Sequence, residues 1–212
     1  MRRIQVLCLP ALLTAWTSAV GQGGPSEKEV LRNANVTAVE YTLGSGELLA
    51  IDGFRPALTV YLDRGTVAES GAPEKQVNVE RGEVKFSPAG AETIHNTSQS
   101  ALRFVRIEFL GAGSGAKWGM AGLPPNYKLL FENPYTRVYD IRIPAGSTEQ
   151  QHTHHDRVVV CLSGAKLKHT MPDGREETAT LQTGEVAWRR GATHVGHNLG
   201  DTDLWVIAVE PK

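Results

Sequence analysis

A chain of 212 residues, 41% hydrophobic and 21% charged, has the make-up of an ordinary globular protein, long enough for one large domain or two small ones. A formal charge of -1 with no basic tail excludes a general binder of nucleic acid or of anionic membranes, which would carry an excess of Lys and Arg. No low-complexity tract is present.

Residues 1–21 read as a secretory signal peptide. Arg2 and Arg3 make a charged start, Ile4 to Val20 are mostly apolar or small, and Ser18, Ala19 and Gly21 suit a cleavage site. Pro10 and the polar Gln5, Thr14, Thr17 and Ser18 make the stretch a poor transmembrane helix. The plain alternative is a buried N-terminal helix. The expectation is a secreted or periplasmic protein, free of the membrane after cleavage. Cleavage removes Cys8 and leaves Cys161 alone, so no internal disulfide can form. Cys161 lies in the apolar run Val158–Leu162 and reads as a buried, unreactive strand residue.

Beyond the signal the chain repeats itself at an offset of about one hundred. Leu31-Arg32-Asn33 precedes a strand-like stretch ending at Gly46, and Phe131-Glu132-Asn133 precedes one ending at Gly146. In the second copy Val138, Asp140 and Arg142 alternate with Tyr139, Ile141 and Ile143, the signature of a half-buried strand. Gly82 to Pro88, ending at His95-Asn96, returns as Gly184 to Arg190, ending at His197-Asn198, and Ala101–Leu110 returns as Thr202–Val209. Between the copies, residues 113–126 are dense in Gly and Pro and read as a linker. Residues 27–112 and 127–212 then form two units, each of the size of a small β-barrel or sandwich. Units this small bury limited area alone, so packing of the two copies together is expected to contribute to stability.

Six of the seven histidines lie between positions 152 and 197. His152-Thr153-His154 places two imidazoles on one face of a strand, and His194 is positioned to join them from a distant strand, half of a metal shell. The plain alternative is a set of exposed or hydrogen-bonded imidazoles. His155 points to the other face and reads as an outer or surface residue, and His169, beside Lys166 and Lys168, as part of a solvated strand face. Trp188 reads as core, and Tyr139 and Trp205 as core or pocket lining.

These patterns resemble the cupin superfamily, in its tandem two-domain form. Gly146, five residues, His152-Thr153-His154 and a closing Gly164 resemble the first cupin motif, and Gly184, His194 and Asn198 the second. The resemblance spans nearly all of the chain after residue 21. It implies an all-β protein of two tandem jelly-roll barrels, with a metal held in the C-terminal one by His152, His154 and His194. Two departures stand out. The position of the family's acidic ligand holds Arg157, which cannot ligate a metal, and the Pro-Gly turn of the second motif is replaced by Arg190 to Ala192. The centre is either a three-histidine site or takes a fourth ligand from Asp156, His155 or His197. In the N-terminal copy, Gly53-Phe54-Arg55 or its neighbours stand where the His-x-His would be, and Glu92 stands opposite His194. That barrel is expected to lack metal, and the retained His95 and His197 to serve the turns.

Imidazoles suit one divalent transition metal, Fe, Mn, Ni, Cu or Zn, without selecting among them. Three protein ligands leave open positions, as in catalytic sites. The first expectation is a mononuclear metalloenzyme, dioxygenase-like, acting on a small organic substrate, with Arg157 as holder of an anionic group. Arg189 and Arg190 share that reading, although surface charge balanced by Asp156, Glu176 and Glu177 explains those two as well. The second is a non-catalytic binding protein for a small ligand or metal, and the third a purely structural tandem barrel. The resemblance also leaves open a homodimer formed through strand exchange at sheet edges.

Overall fold

The computed structural model describes residues 24–69, 75–114, 118 and 122–212. The expected signal segment with Cys8, and part of the Gly/Pro-rich stretch, lie outside the described residues. Every regular element among the described residues is a strand. The first nine are β1 (Ser26–Arg32), β2 (Val36–Leu43), β3 (Leu48–Ile51), β4 (Ala57–Tyr61), β5 (Gly65–Glu69), β6 (Lys75–Val79), β7 (Val84–Ser87), β8 (Glu92–Asn96) and β9 (Leu102–Phe109). The next nine are β10 (Tyr127–Glu132), β11 (Thr136–Ile143), β12 (His152–His154), β13 (Arg157–Ser163), β14 (Lys166–Thr170), β15 (Glu176–Thr180), β16 (Val186–Arg189), β17 (Ala192–Asn198) and β18 (Leu204–Pro211).

The repeat seen in the sequence is a repeat of topology. A five-stranded sheet β1-β2-β9-β4-β7 and a four-stranded sheet β3-β8-β5-β6 form the first half. The second half has β10-β11-β18-β13-β16 and β12-β17-β14-β15, the same order strand for strand. Even an irregularity is repeated: the β1–β2 register shifts between Glu29 and Leu31, and the β10–β11 register between Leu129 and Phe131. The opening strands β1 and β10 were not anticipated as separate elements, because only their last residues carry the repeated pattern.

Within each half the two sheets enclose a core, one around Tyr61, Val67, Ile94 and Phe104, the other around Tyr139, Ile141, Leu167 and Val206. A third core joins the halves. Val105, Ile107 and Phe109 of β9 and Val158, Val160, Ile207 and Val209 of β13 and β18 belong to one buried cluster, so the five-stranded sheets pack back to back. This explains the unbroken apolar run at Val158–Leu162: alternate residues face the two different cores, and both faces are covered. Cys161 faces the second of these, buried, with its thiol pushed up to about 11 by desolvation. Trp188 and Trp205 both pack at the edge of the shared core, so Trp205 is not pocket lining, while Tyr139 is inner core.

The asparagines of the two His-Asn pairs pin the turns. Asn96 Nδ2 donates to the carbonyls of Leu43, Gly44 and Ser100, and Asn198 Nδ2 to those of Ile143 and Thr202. Both are fully buried, so replacement would leave carbonyls unsatisfied in each half. Gly46 and Gly146 hold matching turns at φ 77° and 70°, a region that penalises any side chain.

Candidate metal centre

Strand β12 pairs with β17 so that His152 stands directly across from His194, and His154 lies two residues further along the same face. Thr153, between them, points away and meets Thr193 through their hydroxyls at 2.8 Å. All three imidazoles are buried, and one ligand nitrogen from each falls within 4.8 Å of the others. His152 Nε2 and His154 Nε2 approach to 2.8 Å. His152 Nδ1 lies 2.8 Å from the Gln150 carbonyl, which can only accept a hydrogen bond, so the proton sits on Nδ1 and Nε2 keeps its lone pair for the cluster.

Burial, reinforced by the charge of Arg157 and by the other imidazoles, holds His154 far below the ordinary histidine value. Burial followed by the neighbouring His169 brings His194 down to about 3. Neutral imidazoles with free lone pairs at neutral pH are the form that binds a metal. The donor set therefore fits a transition metal.

A cavity of about 70 Å³ adjoins the cluster, room for several waters or a small organic group. Its apolar floor comes from Ile143, Leu167, Leu181 and Val206, and its polar wall from Tyr127, Glu149, Arg157 and His169. Arg157 heads β13 and brings a positive charge to this wall, where burial works against its protonation. Its printed hydrogen bond, at 3.4 Å, goes to the His155 carbonyl, and it makes no ion pair among the described residues. Arg189 also lines the cavity but is held by Glu185 at 2.9 Å, and Arg190 is exposed.

None of the three expected candidates for a fourth ligand reaches the cluster. His155 stacks on Trp118 with ring centroids 3.8 Å apart, Asp156 caps the Gly191 amide at 2.6 Å, and His197 lies on the face of β17 opposite His194. His169 was expected in a solvated strand face; it instead lines the cavity, its ring centroid 4.4 Å from that of His194, because β14 is the next strand to β17.

Two residues on the site were missed from the sequence. Tyr127 opens β10 in the opposite sheet and reaches across the interior, its hydroxyl 3.0 Å from His152 Nε2 and 3.1 Å from His154 Nε2. Burial and the charge of Glu149 hold its phenol well above the ordinary value. Glu149 lies buried in the loop before β12, accepts from Asn126 Nδ2 at 2.9 Å, and is itself pushed up by desolvation. It fits because its neighbour is Gly196: a Cβ there would stand 2.3 Å from Glu149 Oε2. A glycine facing a lone acid within a His-x-His block was the only sequence signal available for Glu149, and none marked Tyr127.

The matching positions of the first half hold other chemistry. Register places Ile51 across from Glu92, as His152 stands across from His194. Glu92 Oε1 accepts from Arg106 Nη1 at 2.8 Å, and the Arg106 side chain is 2% exposed. Arg106 pairs with Val39 on β2, whereas its counterpart in the second half, paired with Tyr139, is Ala208.

No protein-family model matches the chain, and no curated protein matches it. Solved structures do. A cupin 2 conserved barrel domain protein from Leptotrichia buccalis covers 89% of this chain with 89% of its own at 13% identity and a TM-score of 0.58. AerE from Microcystis aeruginosa covers 89% with 98% of its own, at 11% identity and TM-score 0.61. An oxalate decarboxylase from Lactobacillus farciminis, in a formate complex, covers 89% with 82% of its own, at 13% identity and TM-score 0.62. At these identities what is shared is architecture, and this chain has the all-β fold of cupin-domain proteins.

Proposed function

We propose that the chain is a secreted tandem bicupin whose C-terminal barrel binds one divalent transition metal through His152, His154 and His194. It acts there as a mononuclear metalloenzyme, dioxygenase-like in class, on a small organic substrate. The observation that carries this reading is the convergence of three buried imidazoles beside a cavity lined by His154, His194 and an arginine that makes no ion pair among the described residues. A metal so held supplies Lewis acidity and open positions for a small molecule. Arg157 binds an anionic group of the substrate by a charge-assisted hydrogen bond and fixes its orientation. The apolar floor excludes water from the reacting end, and Glu149 beside Tyr127 holds or receives a proton. The oxalate decarboxylase neighbour, in complex with formate, supports a small carboxylate as the anionic group.

Purified protein supplied with Fe, Mn, Ni, Cu and Zn should retain about one metal per chain by elemental analysis, and His154→Ala should retain none. Well-folded protein without metal after such supplementation sinks the reading. The competing reading, a binding protein without turnover, is favoured by the arginine in the expected carboxylate position. Oxygen uptake across a panel of small carboxylates, diketones and thiols separates the two, because turnover lost in His152→Ala leaves no room for binding alone.

A further inference from the structure

The expected carboxylate ligand is missing, yet an oxygen atom already stands at the cluster. We propose that Tyr127, reaching in from the opposite sheet, supplies the fourth protein donor of the centre through its phenol oxygen. The proposal rests on the metal-site reading above and adds a ligand to it.

The argument is one of distances. His152 Nε2, His154 Nε2 and Tyr127 Oη form a triangle with edges of 2.8, 3.0 and 3.1 Å. A metal about 2.1 Å from each donor spaces cis ligands about 3.0 Å apart in an octahedral shell and about 3.4 Å apart in a tetrahedral one. The triangle therefore has the size of one octahedral face, and a single ion can touch all three corners. Among the described residues no carboxylate joins the cluster. The Glu149 carboxylate is not among the groups whose donors fall within 4.8 Å of one another, and it is held by Asn126. Asp156 is engaged at the Gly191 amide.

The phenol is also fixed in place. The Tyr127 amide donates to the Pro124 carbonyl at 3.1 Å, Asn126 Nδ2 to the Arg142 carbonyl at 3.0 Å, and the ring packs edge-on against Tyr139 at 6.1 Å. A preset oxygen of this kind needs little reorganisation to ligate. The counterpart of Tyr127 in the first half, across from Tyr41 as Tyr127 is across from Ile141, is Glu27, in the half that lacks the three histidines. Coordination exchanges the O–H bond for an O–metal bond, and the proton passes to the adjacent Glu149 carboxylate.

The full chain loaded with one equivalent of Fe(III) provides the test, since an iron-bound phenolate absorbs in the visible and gives resonance-enhanced ring vibrations. Wild type should show both, and ring-deuterated tyrosine should shift the vibrations. Tyr127→Phe should keep iron at saturation but lose the colour, and bind Zn(II) at least about tenfold more weakly, the low end of what even an outer-shell change costs. The wild-type spectrum stands by itself if Tyr127→Phe folds poorly. Iron bound at one per chain, dependent on His154 but without phenolate vibrations, overturns the Tyr127 assignment and leaves the three-histidine reading intact. Wild type that binds neither Fe(III) nor Zn(II) overturns both.

Discussion

The two halves share nine strands, their order and a β-bulge, yet their interiors answer the same architectural question differently. Where the second half sets His194, the first sets Glu92, and it satisfies that carboxylate with Arg106. Where the second half has the small Ala208, the first has that arginine. The Arg106 guanidinium fills the interior beside Glu92, so an ion pair occupies the place that the histidines take in the second half. The second half moves its arginine to position 157, where the first has the fully buried Ala57, and leaves it without an ion pair among the described residues. One scaffold thus supports a closed, self-neutralised interior and an open, ligand-hungry one. A handful of side chains decides which.

The sharpest way to break this comparison is by metal content. His154→Ala should take bound metal from about one per chain to none, while Ile51→His combined with Glu92→His should create no site as long as Arg106 remains. Stable metal binding by that double variant, measured by elemental analysis after dialysis, would show that the arginine is no obstacle.

The arginines should separate next. Arg106→Ala strands a partly buried Glu92 and should cost about 3 kcal/mol in urea unfolding. Arg157→Met removes a half-buried charge that has no ion pair among the described residues and should leave stability unchanged or higher, while weakening binding of a small carboxylate about tenfold. Equal destabilisation by the two changes would erase the distinction.

The pH response should belong to the second half. His194 falls from 6.5 to about 3 on folding, and His154 falls further. Above pH 6.5 these rings are neutral in both states, so they contribute no pH dependence. Below it the unfolded chain takes up the protons first, and metal-free stability should fall by up to about 1.4 kcal/mol per pH unit per histidine, continuing for His194 to about pH 3. Glu149, raised above 4.5, works in the opposite direction, so the His154→Gln, His194→Gln double variant isolates the imidazole part. A melting temperature unaffected by that double variant between pH 6.5 and 4 contradicts it.

The smallest effect concerns Gly196, which corresponds to Ile94 in the first half. Gly196→Ala should push the flexible Glu149 carboxylate aside at a cost within about 1 kcal/mol. A loss of more than 2 kcal/mol in urea unfolding would mean that Glu149 is locked.

Much of this was legible before any coordinates. Period-two alternation and the hundred-residue repeat gave an all-β chain in two copies, and the spacing of His152, His154 and His194 gave three side chains that do meet. What escaped was whatever depends on the facing sheet. Tyr127 lies twenty-five residues before His152, on a strand whose register owes nothing to the histidine block, so no local pattern links them. His169 looked solvated because Lys166 and Lys168 precede it, but Lys168 points to the other face of β14 and says nothing about where its neighbour goes. His197 faced away for the same reason, while His155 and Asp156 lie just past the end of β12, where the alternation no longer holds.

The back-to-back core has a consequence for how ligand binding is felt. Val105 and Ile107 lie in one apolar cluster with Val158 and Ile207, so neither half can open that face without exposing the other's. Melting is then a single event for both, and free energy gained by a ligand in the second half is credited to the first through linkage. The first half backs β13 and β18 from behind, so that Arg157 and the cavity keep their places opposite the sheet that carries the histidines.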